Sequence, residues 1–424
     1  MNMLLLAAAI LALLALRVPV AFALLGPCLT YVAVEGQSIG LSIREVTGAI
    51  DSFPLLAVPL FILVGVVANH AGIADRLFDF ALALVGRIKG SLGYVNIGVS
   101  LGFSWMSGSA LADAAGLGKV EVPAMVRKGY SKRFSVGVTA ASSLIGPVMP
   151  PSIPAVIYAS LAAVSTGALF AASVVPAFLM ASALAITVFL WARRQSSLES
   201  QPFDWGRLRS TFVRVIGPLF TPVIILGGIL GGVFTPTEAA AVGAAYVLVL
   251  GLLYRKVRLR DLGTILRDTA ATTASITLIL GASGLLAWIL AREQVPAAVA
   301  EFMLGVTDNQ VVFLLMVNVL LIFLGAVLEG TSVLVITVPI LLPIAVEFGV
   351  DPLHFGVIAI INLMIGLLTP PIGAVLYVLS PVTGLPVHEV FRGTAPFLIP
   401  LFAVLLLVTF VPSVVTFLPG LLGL

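Results

Sequence analysis

Charge is the scarcest property of this sequence. Asp, Glu, Lys and Arg together account for 10% of 424 residues, with three histidines and a single cysteine. Soluble domains keep about a quarter of their residues charged. With 60% hydrophobic residues and a mean hydropathy of +1.19, this chain does not suit water. The lone Cys28 excludes an intrachain disulfide and a cysteine metal cluster. His70, His354 and His388 are scattered, with no metal spacing. Nothing resembles a phosphate-binding loop, which argues against ATP hydrolysis. Apolar runs of about 20 residues, instead of short alternating segments, exclude a β-barrel. No cleavable leader is expected, because residues 1–16 lack a basic start and run on into apolar sequence. The net charge of +3 and pI near 9.1 read as anchoring of loops at a membrane, not as a nucleic-acid surface. What remains is an all-α polytopic membrane protein lying in a lipid bilayer.

The most informative stretch is 142–158, S-S-L-I-G-P-V-M-P-P-S-I-P-A-V-I-Y, with apolar sequence on both sides. Pro150, Pro151 and Pro154 remove backbone donors and clash with preceding carbonyls, so no α-helix runs through it unbroken. In lipid an unpaired carbonyl costs several kcal/mol, so this backbone must be buried in protein or line a polar cavity. The freed carbonyls, such as those of Gly146, Val148 and Met149, are hard oxygen ligands that suit a small cation. A second copy occurs at 365–371, I-G-L-L-T-P-P. Paired interrupted segments in corresponding halves point to a transporter's binding site.

Taken in order, 3–16 and 20–34 form two short spans or one broken one, and 35–51 reads as a polar connection to a span at 54–69. Residues 73–89 read as an amphipathic interfacial helix. A re-entrant hairpin is expected at about 93–118, with its tip near Ser107-Gly108-Ser109, then a broken helix at 135–165. These elements make up a first repeat, 1–192. A cytoplasmic connector, 193–213, leads to a second repeat, 214–424. Within it lie a hairpin at about 311–348, its tip near Glu329-Gly330-Thr331, a broken helix at 354–379 and a last span at 394–417. Of the 22 Lys and Arg, only Arg44 and Arg292 fall outside one face when the basic loops are placed together. Pro123 with Pro343, Ile145-Gly146 with Ile365-Gly366, and Pro150-Pro151 with Pro370-Pro371 all match at one offset, so the repeat is expected to be inverted.

Two cation sites follow. The first combines Ser107-Gly108-Ser109 with the carbonyls of 146–151, and the second combines 329–332 with 366–371. Taken alone, a Ser-Gly-Ser tripeptide is ordinary small-residue packing; duplication beside two Pro-Pro breaks favours a site. Four ionisable residues stand in apolar context: Asp113, Glu238, Arg292 and Glu329. Arg292 reads equally as a carboxylate ligand or as a snorkelling helix-end arginine. Glu329 reads as a cation ligand, a hydrogen-bond acceptor for substrate or a partner of Arg292, and Asp113 as a cap of the hairpin's second helix. The G-x-S-x-G at 98–102 has no strand–turn–helix setting and no evident His partner, so a helix-packing face explains it better than a nucleophile. No enzyme activity is expected.

F-S-W-M-S-G-S-A-L-A-D-A-A, S-L-I-G-P-V-M-P-P-S-I, T-P-T-E-A-A-A-V-G, V-P-I-L-L-P-I and G-L-L-T-P-P-I-G occur in this order, and nearly the whole chain resembles the large membrane subunit of tripartite ATP-independent periplasmic (TRAP) transporters. The resemblance implies a sodium-coupled importer of an organic acid, such as a C4-dicarboxylate or sialic acid, in the bacterial inner membrane, working by an elevator movement. It implies two partners, a periplasmic substrate-binding protein and a small four-helix membrane subunit. No helices of that subunit precede the chain, so an unfused version is expected. Carried over, the first Na⁺ site uses Ser107, Gly146, Met149 and Pro151, and the second uses Gly325, Thr331, Gly366, Thr369 and Pro371. The implied substrate contacts are Ser109, Arg292, Glu329 and Glu238. Glu329 departs from the Asp common in the family. The alternative is a sodium/dicarboxylate symporter or ion antiporter that needs no binding protein.

Overall fold

The computed structural model describes residues 3–16, 18–195 and 202–424. Arg17, expected at the first interruption, and 196–201 of the connector lie outside the described residues. The first half contains α1 (Met3–Ala15), α2 (Val20–Val34), α3 (Ile39–Ile50), α4 (Ala57–His70), α5 (Ile73–Val85), α6 (Ser91–Ser107), α7 (Ala110–Arg127), α8 (Lys132–Ser142), α9 (Ile153–Ala162) and α10 (Thr166–Arg193). The second contains α11 (Trp205–Leu230), α12 (Pro236–Leu253), α13 (Leu262–Arg292), α14 (Val295–Val306), α15 (Gln310–Val327), α16 (Gly330–Glu347), α17 (Pro352–Gly366), α18 (Ala374–Thr383), α19 (Val387–Phe410) and α20 (Ser413–Leu422). There is no strand among the described residues. Eight of these segments are long and apolar enough to cross a membrane.

The halves repeat helix for helix. From α5 to α10 and from α14 to α19 the paired helices start 219 to 222 residues apart, as with Ser91 and Gln310 or Ile73 and Val295. The turns explain why. Gly108 at φ +58° ends α6 in the left-handed region that only glycine adopts without strain. Ser109 then caps α7 by accepting from the Ala112 N–H at 3.4 Å. Glu329 caps α16 in the same way, accepting from the Ser332 N–H at 3.0 Å. Both Pro-Pro bonds, Pro150–Pro151 and Pro370–Pro371, are cis. Beyond the first break, Ser152 restarts the chain as α9 by accepting from Ala155 N–H at 3.1 Å.

The broken helices are the core. Every residue from Phe134 to Ala159 is buried, as is every residue from His354 to Leu368. Helix α8 packs on α19, α17 on α15, and α9 on α16. Outside them, α4 packs on α12, while α2 and α3 pack on α13.

Three elements differ from the sequence expectation. Residues 35–51 are not an open connection but contain α3, whose Ser38 cap accepts from Gly40 N–H at 3.0 Å. Val46 and Ala49 on α3 pack against Gly281 and Gly284 of α13, where a side chain would have no room. The span expected at 269–290 extends over all of α13. In the first half its counterpart is interrupted by Pro54 between α3 and α4. The last span ends at Phe410, and a separate helix, α20, follows Pro412.

Candidate functional site

A cavity of about 590 Å³ lies where the two hairpin tips approach each other. Hairpin 1 (α6–α7) contributes Ser107, Gly108 and Ser109, and hairpin 2 (α15–α16) contributes Glu329, Thr331 and Ser332. The first break adds Pro147, and α17 adds Met364, with Leu367 just past its end. The opposite wall comes from α4 and α13, with Asn69, Thr272 and Ser275 as its polar groups. Among the described residues lining this space there is no Lys, Arg or His, and one carboxylate, Glu329.

Each tip abuts its own break. A side chain at Gly108 would meet the Pro151 carbonyl oxygen at 3.0 Å, so glycine is what lets tip and break close together. On the other side, the Ala326 carbonyl accepts from the N–H groups of Ile372 and Gly373, each at 3.1 Å. A side chain at Gly366 would lie 2.6 Å from the Gly325 carbonyl carbon.

At tip 1, Ser107 Oγ donates to Asp113 Oδ1. Asp113 is completely buried, its Oδ2 has no hydrogen-bond donor, and it faces Gly146, which has no side chain to block it. The cap of α7 is Ser109, so Asp113 is not the cap that the sequence suggested. Met149 and Pro151, in the same break as Gly146, are buried. A buried, unpaired carboxylate is costly and calls for a cation or proton. At tip 2, Glu329 Oε2 takes both the N–H and the Oγ of Ser332, the latter at 3.2 Å. Thr369 Oγ1 donates to the Ile365 carbonyl at 2.9 Å. Thr331 is buried on the cavity wall, and Pro371 is exposed.

Ser107, Ser109, Gly146 and Pro151 therefore meet around tip 1, with Met149 in the same break; Gly325 meets Gly366 at the other, where Glu329 and Thr331 line the cavity and Thr369 and Pro371 belong to the second break. Arg292 and Glu238 join neither. Arg292, the last residue of α13, is exposed, with its guanidinium 5.4 Å from the Trp288 ring centre. Glu238 is exposed in a capping box with Thr235, accepting the Thr235 N–H at 2.8 Å. Sequence reasoning did not single out Asn69, Thr272 and Ser275. Thr272 and Ser275 are two of many hydroxyl residues along α13 and Asn69 adjoins His70 at the end of α4, so only the packing of the helices singles them out.

A family model for the DctM component of tripartite ATP-independent periplasmic transporters matches residues 7–414. The chain is 45% identical over 409 residues to the sialic acid TRAP transporter large permease protein of Vibrio cholerae, covering 95% of each chain. It is 36% identical over 388 residues to the C4-dicarboxylate TRAP transporter large permease protein of Pseudomonas aeruginosa, covering 91% of this chain and 90% of that one. Among solved structures, the YdaH transporter of Alcanivorax borkumensis shares the fold with a TM-score of 0.59 at 14% identity, over 87% of each chain.

Proposed function

Because the chain belongs to the tripartite ATP-independent periplasmic transporter family, as its large permease component, we propose that it carries an organic acid inward across the bacterial inner membrane, coupled to Na⁺. The observation that carries the proposal is the cavity between the two hairpin tips, each tip backed by a proline break with free backbone oxygens. Na⁺ is co-transported cargo here. At tip 1 it would be held by Ser107 and the backbone of Gly146, Met149 and Pro151, with the orphaned Asp113 Oδ2 supplying negative charge. At tip 2 it would be held by the backbone of Gly325, Gly366 and Pro371 with Thr331 and Thr369. The acid would lie between them, against Ser109 and Glu329, with Asn69, Thr272 and Ser275 on the far wall.

The energetics favour this coupling. An anion moving toward a negative interior is opposed by about 2.3 kcal/mol per charge per 100 mV, and each Na⁺ is favoured by the same amount plus its gradient. Two Na⁺ outweigh one carboxylate. The hairpins and broken helices would move together past α4, α12 and α13 as an elevator, because the cavity lies on the boundary between those two groups. Substrate would arrive on a periplasmic binding protein, with a small membrane subunit alongside. The relatives are named for sialic acid and C4-dicarboxylates, so the proposed substrate class is a small organic acid.

Reconstituted uptake tests the proposal. Vesicles containing this chain and its small subunit should accumulate the acid only with both an inward Na⁺ gradient and the binding protein. Uptake indifferent to Na⁺ refutes the coupling; Na⁺-driven uptake without the binding protein indicates the self-sufficient symporter instead.

A further inference from the structure

A second cavity, of about 190 Å³, opens on the face that carries the basic loops, where the start of α8, the end of α10 and the start of α19 converge. Its floor is aromatic: Phe134, Trp191 and Phe397, with the Phe134 and Trp191 rings stacked at 3.4 Å and an interplanar angle of 12°. Its mouth holds two guanidinium groups, Arg133 and Arg392. Glu389 bridges them, pairing with Arg133 Nε and, at 3.1 Å, with Arg392 Nη1. His388 lies 3.6 Å from the same carboxylate.

The bridge positions the arginines without using them up. Each guanidinium has five N–H donors and gives one to Glu389 in these contacts. Both side chains are largely exposed, at 60% and 66%, whereas Glu389 is at 15%. Two cations against one anion leave a net positive mouth over an apolar floor. A fork of free guanidinium donors suits phosphate oxygens. The apolar floor is of no use to a free inorganic ion. On the other faces of α10, Ile186, Phe189 and Leu190 are exposed apolar side chains of the kind acyl chains cover.

We propose that this cavity binds the headgroup of an anionic glycerophospholipid, with its phosphodiester between Arg133 and Arg392 and its glycerol over Phe134 and Trp191. Basic pockets between spanning helices on the cytoplasmic side favour such headgroups. The site is separate from the cavity between the hairpin tips and does not depend on what the protein transports. A bound lipid ties α8, which leads into the first proline break, to α10 and α19.

Trp191 reports on the site. The full chain is placed in phosphatidylcholine vesicles containing a small fraction of phosphatidylglycerol brominated near the glycerol end of its chains. Matched vesicles carry brominated phosphatidylcholine, and Trp191→Phe removes the signal of the site from that of the other three tryptophans. Brominated phosphatidylglycerol should quench Trp191 more, saturably, and millimolar inorganic phosphate should not reverse it. In Arg133→Gln/Arg392→Gln the half-saturating lipid fraction should rise about tenfold or more. Arg392→Gln alone, which leaves the Arg133–Glu389 pair intact, should give a smaller rise if the double variant fails to fold. Equal quenching by the two lipids, or unchanged half-saturation in Arg392→Gln, overturns the proposal. Reversal by inorganic phosphate also overturns it, because the occupant is then a soluble anion.

Discussion

The two hairpins have the same backbone but different interiors. Hairpin 1 encloses two carboxyl groups, Asp113 and Glu121, each completely buried and each with one oxygen lacking a donor. At the positions 220 residues on, hairpin 2 has the buried apolar residues Val333 and Leu341. Behind hairpin 1, Asn96 donates to Glu121 at 2.5 Å and to Thr139 at 2.6 Å, and accepts from Ser142 at 2.8 Å. Behind hairpin 2, the position matching Ser142 is Asn362, which donates to Asn318 at 2.7 Å, and Asn318 donates to Thr409 at 3.1 Å. Acid at the tips is also unequal, with Ser109 capping one and Glu329 the other. The first break is sealed, whereas Pro370, Pro371 and Ile372 of the second are exposed. A duplicated fold has thus been given one half with two buried carboxyl groups behind a sealed break, and one half whose acid stands at the tip beside a more open break. In the proposed reading, the first holds its cation by charge and the second by neutral oxygens.

Substitutions can break or sharpen that contrast. The largest effect is expected from Asp113→Ala. The Na⁺ concentration for half-maximal uptake should rise roughly 10- to 100-fold, the range for losing a group that supports a metal site. Unchanged Na⁺ dependence in reconstituted vesicles would remove charge from the first tip's role. Next is Gly366→Ala, where the added methyl meets the Gly325 backbone, which has no rotamer to turn away. It should cost about 1–3 kcal/mol, read as a lower melting temperature in detergent. Gly146→Ala meets a side chain, Asp113, and should alter Na⁺ dependence more than melting.

A smaller effect is expected at the tip caps. Glu329→Gln should change the KM for the acid by about tenfold, roughly the worth of one charge-assisted hydrogen bond, with Na⁺ dependence kept. Ser109→Ala should cost about 1 kcal/mol of stability as a lost cap. If both tips respond alike in KM, the unequal caps do not read the substrate. The smallest effect is expected from Arg292→Ala and Glu238→Gln. Both residues are exposed and stand off the cavity, so stability should stay within about 0.5 kcal/mol and uptake close to that of the unaltered protein. Loss of uptake in Arg292→Ala would bring that arginine back into the substrate path.

Much of this was legible in the chain. Proline placement located both breaks, small and hydroxyl residues located both tips, and the spacing near 220 paired them. These signals are local: a missing N–H or a missing Cβ acts on its own neighbourhood whatever the rest of the chain does. Helix α3 was harder to read, because Arg44 and Glu45 interrupt its apolar residues and only half of it is apolar. Arg292 and Glu238 stand off the cavity for a related reason. A charge between apolar runs looks buried in one dimension, yet both lie at helix ends that reach the surface.

Sequence by itself determined the membrane class, the spacing near 220 between corresponding motifs and the position of both Pro-Pro breaks. All three follow from burial cost and backbone chemistry, which residue type alone sets. Tertiary structure decided which polar atoms share a cavity, that Asp113 faces Gly146 with an oxygen free, and that Arg133 and Arg392 flank Trp191. Those juxtapositions join residues up to hundreds of positions apart, and only the packing of whole helices selects which of many equally apolar faces meet.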